Sequence, residues 1–245
     1  MPSWRSSSTK ESAKPLSSEG NESIVLEALL AGADVEPRLV APLARYGALV
    51  LEAGRRFNLT GAKTPAELLP HLLDGLSLLP YVRAPYVDVG SGAGLPAILI
   101  AIGTGVAPTM IEAAAKKAHF LESTLAALGL PGRVVSERAE IAGHRPDLRE
   151  RFASGTARAV GTAPTVAEYL LPLIAPGGVA LLQRGRLDER ERRAVEDAAM
   201  MLGGALDREA PLEGERRLLI LAKQAPTPAR FPRRAGIPAK RPLCM

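Results

Sequence analysis

The stretch YVDVGSGAGLPAILIAI, residues 86–102, limits the fold more than any other part of the chain. A short run of β-formers, Tyr86, Val87 and Val89 around Asp88, leads into Gly90, Gly92 and Gly94, and an apolar run follows from Leu95. Glycine reaches positive φ and admits close approach to the backbone, and a helix that follows opens with unpaired N–H groups. Strand, glycine turn and helix in that order form the first unit of an open parallel sheet. In such sheets ligands collect at the carboxyl ends of the strands.

The rest of the chain fits that frame. Short β-prone runs predict strands near 86–89, 109–112, 133–136, 157–160, 179–183 and 218–222. Helical spacing predicts helices over 114–128, 166–174 and 188–202. Alternating β and α units imply a parallel sheet with right-handed crossovers and helices on both faces. Upstream, apolar positions between 23 and 56 predict two helices broken near AGADVEP. Thr64-Pro65 then reads as an N-cap with proline at the first helical position. Residues 1–22 are polar and Ser-rich, which predicts a disordered segment that is neither signal peptide nor anchor. The expected organisation is a segment 1–22, a helical region 23–84, a ligand-binding domain 85–223 and a tail 224–245.

Two carboxylates select among nucleotide ligands. A dinucleotide fingerprint needs G-x-G-x-x-G, but here Leu95 holds the position of the third glycine. Asp88 precedes the turn by two residues, which disfavours a pyrophosphate and suits a ligand with an amino group. Glu112 closes the second strand, where an acid accepts from ribose hydroxyls. These features predict S-adenosylmethionine rather than NAD.

Charge is unevenly placed. The chain of 245 residues carries a net charge of +5. Lys223, Arg230, Arg233, Arg234, Lys240 and Arg241 have no acid among them, and they leave 25 basic against 26 acidic residues elsewhere. Five prolines in this segment favour an extended conformation. Such a tail is either a solvated extension or a phosphate contact. The single cysteine, Cys244, excludes an internal disulfide and a cysteine zinc site. The longest apolar run is far short of the ~20 residues that span a bilayer. A cytoplasmic protein with no membrane partner is expected.

Several stretches together resemble the bacterial 16S rRNA guanine-N7 methyltransferase family, RsmG or GidB. They are FNLT (57–60), HLLDGLSLLP (71–80), VDVGSGAGLP (87–96), KKAHFL (116–121), ERAE (137–140), ARAV (157–160), LPLIAPGG (171–178) and FPRRAGIPAKRPL (231–243). The resemblance implies an α/β class I SAM-dependent methyltransferase fold: a Rossmann-like, seven-stranded, mostly parallel sheet preceded by N-terminal helices. It implies S-adenosylmethionine as donor, leaving S-adenosylhomocysteine, and a guanine N7 in the 530 loop of 16S rRNA as acceptor. Gly90 and Leu95 would lie against the cofactor with Gly92 and Gly94. Glu112 would take the ribose, Ala139 and Glu140 the adenine, and Arg158 would line the pocket. Ala97, Gly75 and Gly161 depart from the family pattern, and Arg184 stands where lysine is usual.

Guanine N7 has a free lone pair and no proton to remove, so no catalytic residue beyond proximity is expected. Attack through a cysteine is disfavoured with Cys244 in the tail, and no (D/N/S)-P-P-(Y/F) motif for exocyclic amines is present. Arg138, Arg184, Arg230, Arg233 and Arg234 are candidate phosphate contacts, with Phe231 as a stacking surface. His71 and Asp74, one helical turn apart, either border the acceptor pocket or serve helix packing. Asn58 is either a substrate contact or a loop-shaping residue. The partner would be 16S rRNA, in the small ribosomal subunit or a precursor, and the protein is expected as a monomer. Rival readings are a small-molecule methyltransferase, a non-catalytic RNA-binding assembly protein and an NAD oxidoreductase.

Overall fold

The computed structural model describes residues 18–158, 160–212 and 214–245. Helices α1 (Ser18–Gly32), α2 (Pro37–Gly54) and α3 (Pro65–Leu76) precede the sheet. Thr64 caps α3 by accepting from the Glu67 amide at 3.3 Å, while the Glu67 carboxylate accepts from the Lys63 amide at 2.8 Å. The sequence TPAE thus satisfies two donors at the start of the helix.

The sheet comprises β1 (Tyr86–Val89), β2 (Pro108–Ile111), β3 (Arg133–Val135), β4 (Phe152–Ala157), β5 (Ile174–Arg184), β6 (Gly204–Pro211) and β7 (Arg217–Lys223). Their spatial order is β3-β2-β1-β4-β5-β7-β6. The first five in this order run parallel, whereas β7 pairs antiparallel with both β5 and β6. Helices α4 (Ala97–Thr104), α5 (Ala115–Leu128), α6 (Ala139–Ala142), α7 (Ala163–Leu170) and α8 (Glu189–Met201) connect the strands, and α9 (Ile237–Lys240) ends the chain.

Strand β1 shows why the sheet needs helices on both sides. All four of its residues are buried. By the two-residue period, Tyr86 packs with α1–α5, while Val87 and Val89 pack with α7 and α8. The chain winds one way from β1 to β3 and the other way from β4 to β5. Right-handed crossovers then place the two helix sets on opposite faces and open a crevice where the order reverses.

The structure corrects several expectations. The fourth strand lies at Phe152–Ala157, not 157–160. Its FASGTA sequence reads poorly as β because it is built largely of small residues, and Gly155 sits where neighbouring side chains pack close to the backbone. A Cβ there would stand 2.8 Å from Ile174 Cδ1 and 3.0 Å from Val87 Cγ1. Helix α7 ends at Leu170, ahead of Pro172, and residue 174 already belongs to β5. Strand β6 escaped prediction because it is an edge strand, fully buried only at Gly204. Residues 18–22 form the start of α1, with Glu22 paired to Arg55, and residues 1–17 of the segment expected to be disordered lie outside the described residues. Among the described residues no helix is long and apolar enough to cross a membrane.

The tail is docked rather than solvated. Phe231 and Leu243 belong to the core that joins α7, α8 and the sheet. Just ahead of the tail, Lys223 at the end of β7 is buried, pairs with Glu150 at 3.2 Å and donates to the Leu171 carbonyl at 2.7 Å, and the Thr227 amide of the tail donates to the same Glu150 at 2.6 Å. Arg149 gathers the carbonyls of Thr227 (2.7 Å) and Phe231 (2.9 Å), and the His144 ring meets the Pro232 carbonyl at 2.7 Å.

Candidate active site

A cavity of about 500 Å³ opens at the carboxyl ends of β1, β2 and β4. The turn after β1 supplies Gly90, Ser91, Gly92, Ala93 and Leu95, and the end of β2 supplies Glu112. Glu137, Arg138, Ala139 and Glu140 come from the segment leading into α6, and Arg158 follows β4. Across from them stand Leu59, Thr60 and Gly61 of the loop before α3, and His71 of α3. The N-terminal helical region therefore forms one wall of the crevice.

The turn is held by backbone demands that only glycine meets. Gly90 has φ +69°, and a Cβ there would fall 2.1 Å from Val160 Cγ1. The Gly90 amide donates to the Ile111 carbonyl at 2.8 Å, and the Tyr46 hydroxyl from α2 donates to the Ala93 carbonyl at 2.8 Å. Gly92, at φ +56°, has open space around a notional Cβ, with only the Gly90 carbonyl at 3.8 Å. Gly94 is different: its Cβ would meet Ile98 Cγ1 at 2.4 Å and Leu121 Cδ2 at 3.1 Å, and it does not line the cavity. Its glycine serves packing between the turn and the helices α4 and α5.

Glu112 is the second anchor. Its Oε2 accepts from the Gly92 amide at 2.9 Å and its Oε1 from the Ala114 amide at 2.8 Å. The amide that a dinucleotide fold offers to a pyrophosphate is here engaged by a carboxylate. A phosphate at that position would face a negative charge. The dinucleotide reading therefore fails on electrostatics as well as on spacing.

Asp88 is corrected. It was expected to face the ligand, but it is 1% exposed and does not line the cavity. It sits on the core side of β1 with Oδ1 accepting from the Thr156 hydroxyl at 2.6 Å, while Oδ2 has no partner among the described residues. Burial pushes its carboxyl up to about 7, against the hydrogen bonds from Thr156 and Ser91. Asp88 braces the turn from beneath.

Asp74 is likewise no wall residue. Its Oδ2 accepts from Arg158 at 3.1 Å, and its Oδ1 from Gln183 at 2.6 Å and Arg216 at 2.5 Å. One buried carboxylate thus ties α3 to the ends of β4 and β5 and the start of β7, and it aims Arg158 along the wall. His71, a turn earlier, does line the cavity. Burial and the nearby Arg158 and Arg216 lower its pKa against the pull of Asp74, so its ring is neutral at pH 7.

The remaining candidates divide. Arg138 is exposed on the wall. Asn58 adjoins the wall residue Leu59 without lining the cavity itself. Arg184 pairs with Glu191 at 2.9 Å and donates to the Gly161 carbonyl, which ties the end of β5 to the starts of α7 and α8. In the tail, Phe231 is 3% exposed and offers no stacking face, because its ring fills the core beneath α7. Arg233 forks onto the fully buried Glu168, with contacts of 2.9 and 2.6 Å. Arg230 lies 5.1 Å over the Phe231 ring, and both Arg230 and Arg234 are exposed. Sequence reasoning missed Lys117, Glu137 and Tyr169, which line the cavity. Lys117 and Glu137 fall inside stretches that carry the family resemblance, but no local rule distinguishes them from surface residues.

Comparison with known proteins completes the picture. A family model described as "GidB: rRNA small subunit methyltransferase G" matches residues 40–219. A protein named "Ribosomal RNA small subunit methyltransferase G" from Rubrobacter xylanophilus is 42% identical over 211 residues, which is 80% of this chain and 81% of that one. One of the same name from Deinococcus deserti is 38% identical over 233 residues, covering 89% and 96%. Among solved structures, the mitomycin 7-O-methyltransferase MmcR superposes with TM-score 0.51 at 15% identity, covering 80% of this chain and 75% of that one. A Corynebacterium glutamicum protein does so with TM-score 0.52 at 16% identity, covering 82% and 97%. At such identities these two likenesses speak for the class I α/β fold alone. The family match spans most of the sheet and every wall of the cavity, and with it the chain belongs to the GidB family of rRNA small subunit methyltransferases G.

Proposed function

We propose that the chain transfers a methyl group from S-adenosylmethionine to N7 of a guanine in the 530 loop of 16S rRNA, within the small subunit or its precursor. The observation that carries this reading is the set of three carboxylates beside the glycine turn, which share the cavity wall with Lys117, Arg138 and Arg158. Glu112, Glu137 and Glu140 face a cavity of about 500 Å³, inside the range of ~300–1,000 Å³ typical of small-molecule sites. Acids accept from the hydroxyls and amino groups of a nucleoside and disfavour phosphates. Each oxygen of Glu112 accepts one protein amide, which leaves lone pairs for a ribose. Glu137 Oε2 is buried and has no donor among the described residues, so a ligand N–H or O–H would satisfy it. These residues fit the cofactor.

When bound, S-adenosylmethionine supplies an electrophilic methyl group on a sulfonium centre. The protein's part is then to hold the acceptor in line. Gly90, Gly92 and Leu95 form the floor, Ala139 and Glu140 the adenine side, and Arg158, fixed by Asp74, the wall beyond β4. Guanine N7 gives up no proton, so a neutral His71 at the border suffices and no general base is required. The base leaves its stack at a cost of a few kcal/mol, which phosphate contacts by exposed groups such as Arg138 offset.

Small subunits lacking the modification, incubated with methyl-labelled S-adenosylmethionine, test the reading. The label is expected as 7-methylguanine within the 530 loop. Label at another position would displace the acceptor assignment, and no label despite cofactor binding would remove the catalytic claim.

A further inference from the structure

The segment after β7 reads by charge as an RNA-binding tail, yet Arg233 and the Gly236 amide turn inward while Arg230, Arg234, Lys240 and Arg241 stay exposed. The Arg233 guanidinium and its own backbone N–H both donate to Glu168, a residue of α7 with no exposed surface. Three residues on, the Gly236 amide donates to Glu140 Oε1 at 2.6 Å. Gly236 has φ +81°, and this left-handed turn presents its N–H to that carboxylate. Thr165 of α7 donates to the Pro238 carbonyl at 3.0 Å, and Pro238 is buried. Glu140 is 5% exposed and lines the cavity, as does Tyr169, the neighbour of Glu168. The tail therefore forms the outer support of the wall beside α6.

We propose that the segment 231–238 is a positioning strap for the cofactor: Arg233 locks onto Glu168, and the Gly236 amide fixes the Glu140 carboxylate that borders the nucleoside. The inference rests on the S-adenosylmethionine reading of the cavity and extends it to residues outside the cavity wall. A carboxylate held by a backbone amide keeps one rotamer and directs its free lone pairs into the cavity. A single anchored acceptor costs less ordering on binding than a mobile one. Arg233 acts through Gly236 and Glu140, so it is a positioning residue. It is not a phosphate contact.

Two measurements decide the matter. In the Arg233→Ala protein, calorimetric titration with S-adenosylhomocysteine is expected to show at least a tenfold weaker affinity. The salt dependence of small-subunit binding should stay unchanged, because no phosphate contact is lost. Unchanged nucleoside affinity together with a shallower salt slope would overturn the strap and make Arg233 an RNA contact. Because the variant leaves a buried Glu168 without its partner, it could fail to fold. The wild-type chain then decides through hydrogen exchange of the Gly236 amide, which saturating S-adenosylhomocysteine is expected to slow by tenfold or more. No change in that rate would overturn the strap. Both readouts follow the nucleoside and not the methylated position, so an error in the N7 assignment leaves them standing. A wild-type chain that binds no S-adenosylhomocysteine would overturn both readings.

Discussion

The glycine turn and the C-terminal tail both stand out in the sequence, and they behave oppositely in the structure. The turn does what its residues demand. Gly90 and Gly92 adopt positive φ, Glu112 takes the Gly92 amide, and the loop becomes the cavity floor. The tail does not follow its charge. Of the six basic residues from the end of β7 onward, Lys223 is buried and Arg233 engages a buried carboxylate. The difference is one of range. A turn is specified by the backbone needs of the residues that form it. A run of like charges says only that counter-charges are needed, and those can come from RNA or from acids such as Glu150 and Glu168, which lie 73 and 65 residues from Lys223 and Arg233.

That contrast can be broken at either end. The largest effect is expected at the turn, where Gly90→Ala adds strain at positive φ and a collision with Val160. Urea unfolding should register a loss of about 2–4 kcal/mol, with cofactor affinity falling alongside it. A loss below ~0.5 kcal/mol would mean that the turn relaxes freely and that its glycine is not demanded.

A pH series sharpens the picture beneath the turn. Burial lifts the Asp88 carboxyl from 3.8 to about 7. The folded state then holds this proton more tightly than the unfolded chain, so stability falls as pH rises between about 4 and about 7. In ligand-free protein, Asp88→Asn is expected to flatten the urea midpoint across that window. A slope identical to that of the parent would assign the pH dependence to other groups.

The smallest effect is expected at Arg234, which stays exposed while its neighbour Arg233 is docked. Arg234→Ala should change stability by no more than about 0.5 kcal/mol. As a phosphate contact it should lower the salt slope of small-subunit binding by about one. An unaltered slope would remove Arg234 from RNA recognition and leave Arg230, Lys240 and Arg241 as the exposed basic residues of the tail.

Much of the frame was legible from residues. Thr64-Pro65 marked the start of α3, and VDVGSGAG marked β1 and its turn within the residues observed. Periodicity located α5 and α8 to within a residue or two. Strand β4 was misplaced because its glycine answers to Ile174 and Val87 on neighbouring elements, and β6 was missed because an edge strand need not be apolar. At the site, Gly90, Leu95, Glu112 and Glu140 were found from sequence and do line the cavity, whereas Asp88 and Asp74 proved to be supports.

The sequence by itself determined most of the elements, the α/β class and the turn, because capping, periodicity and positive φ are properties of a few adjacent residues. Only the tertiary structure decided which charges meet solvent. The pairing of Asp74 with Arg158 spans 84 positions and that of Arg233 with Glu168 spans 65, and neither has a local signature. Burying a charge is costly unless a partner arrives from elsewhere in the fold, and which partner arrives is settled by packing.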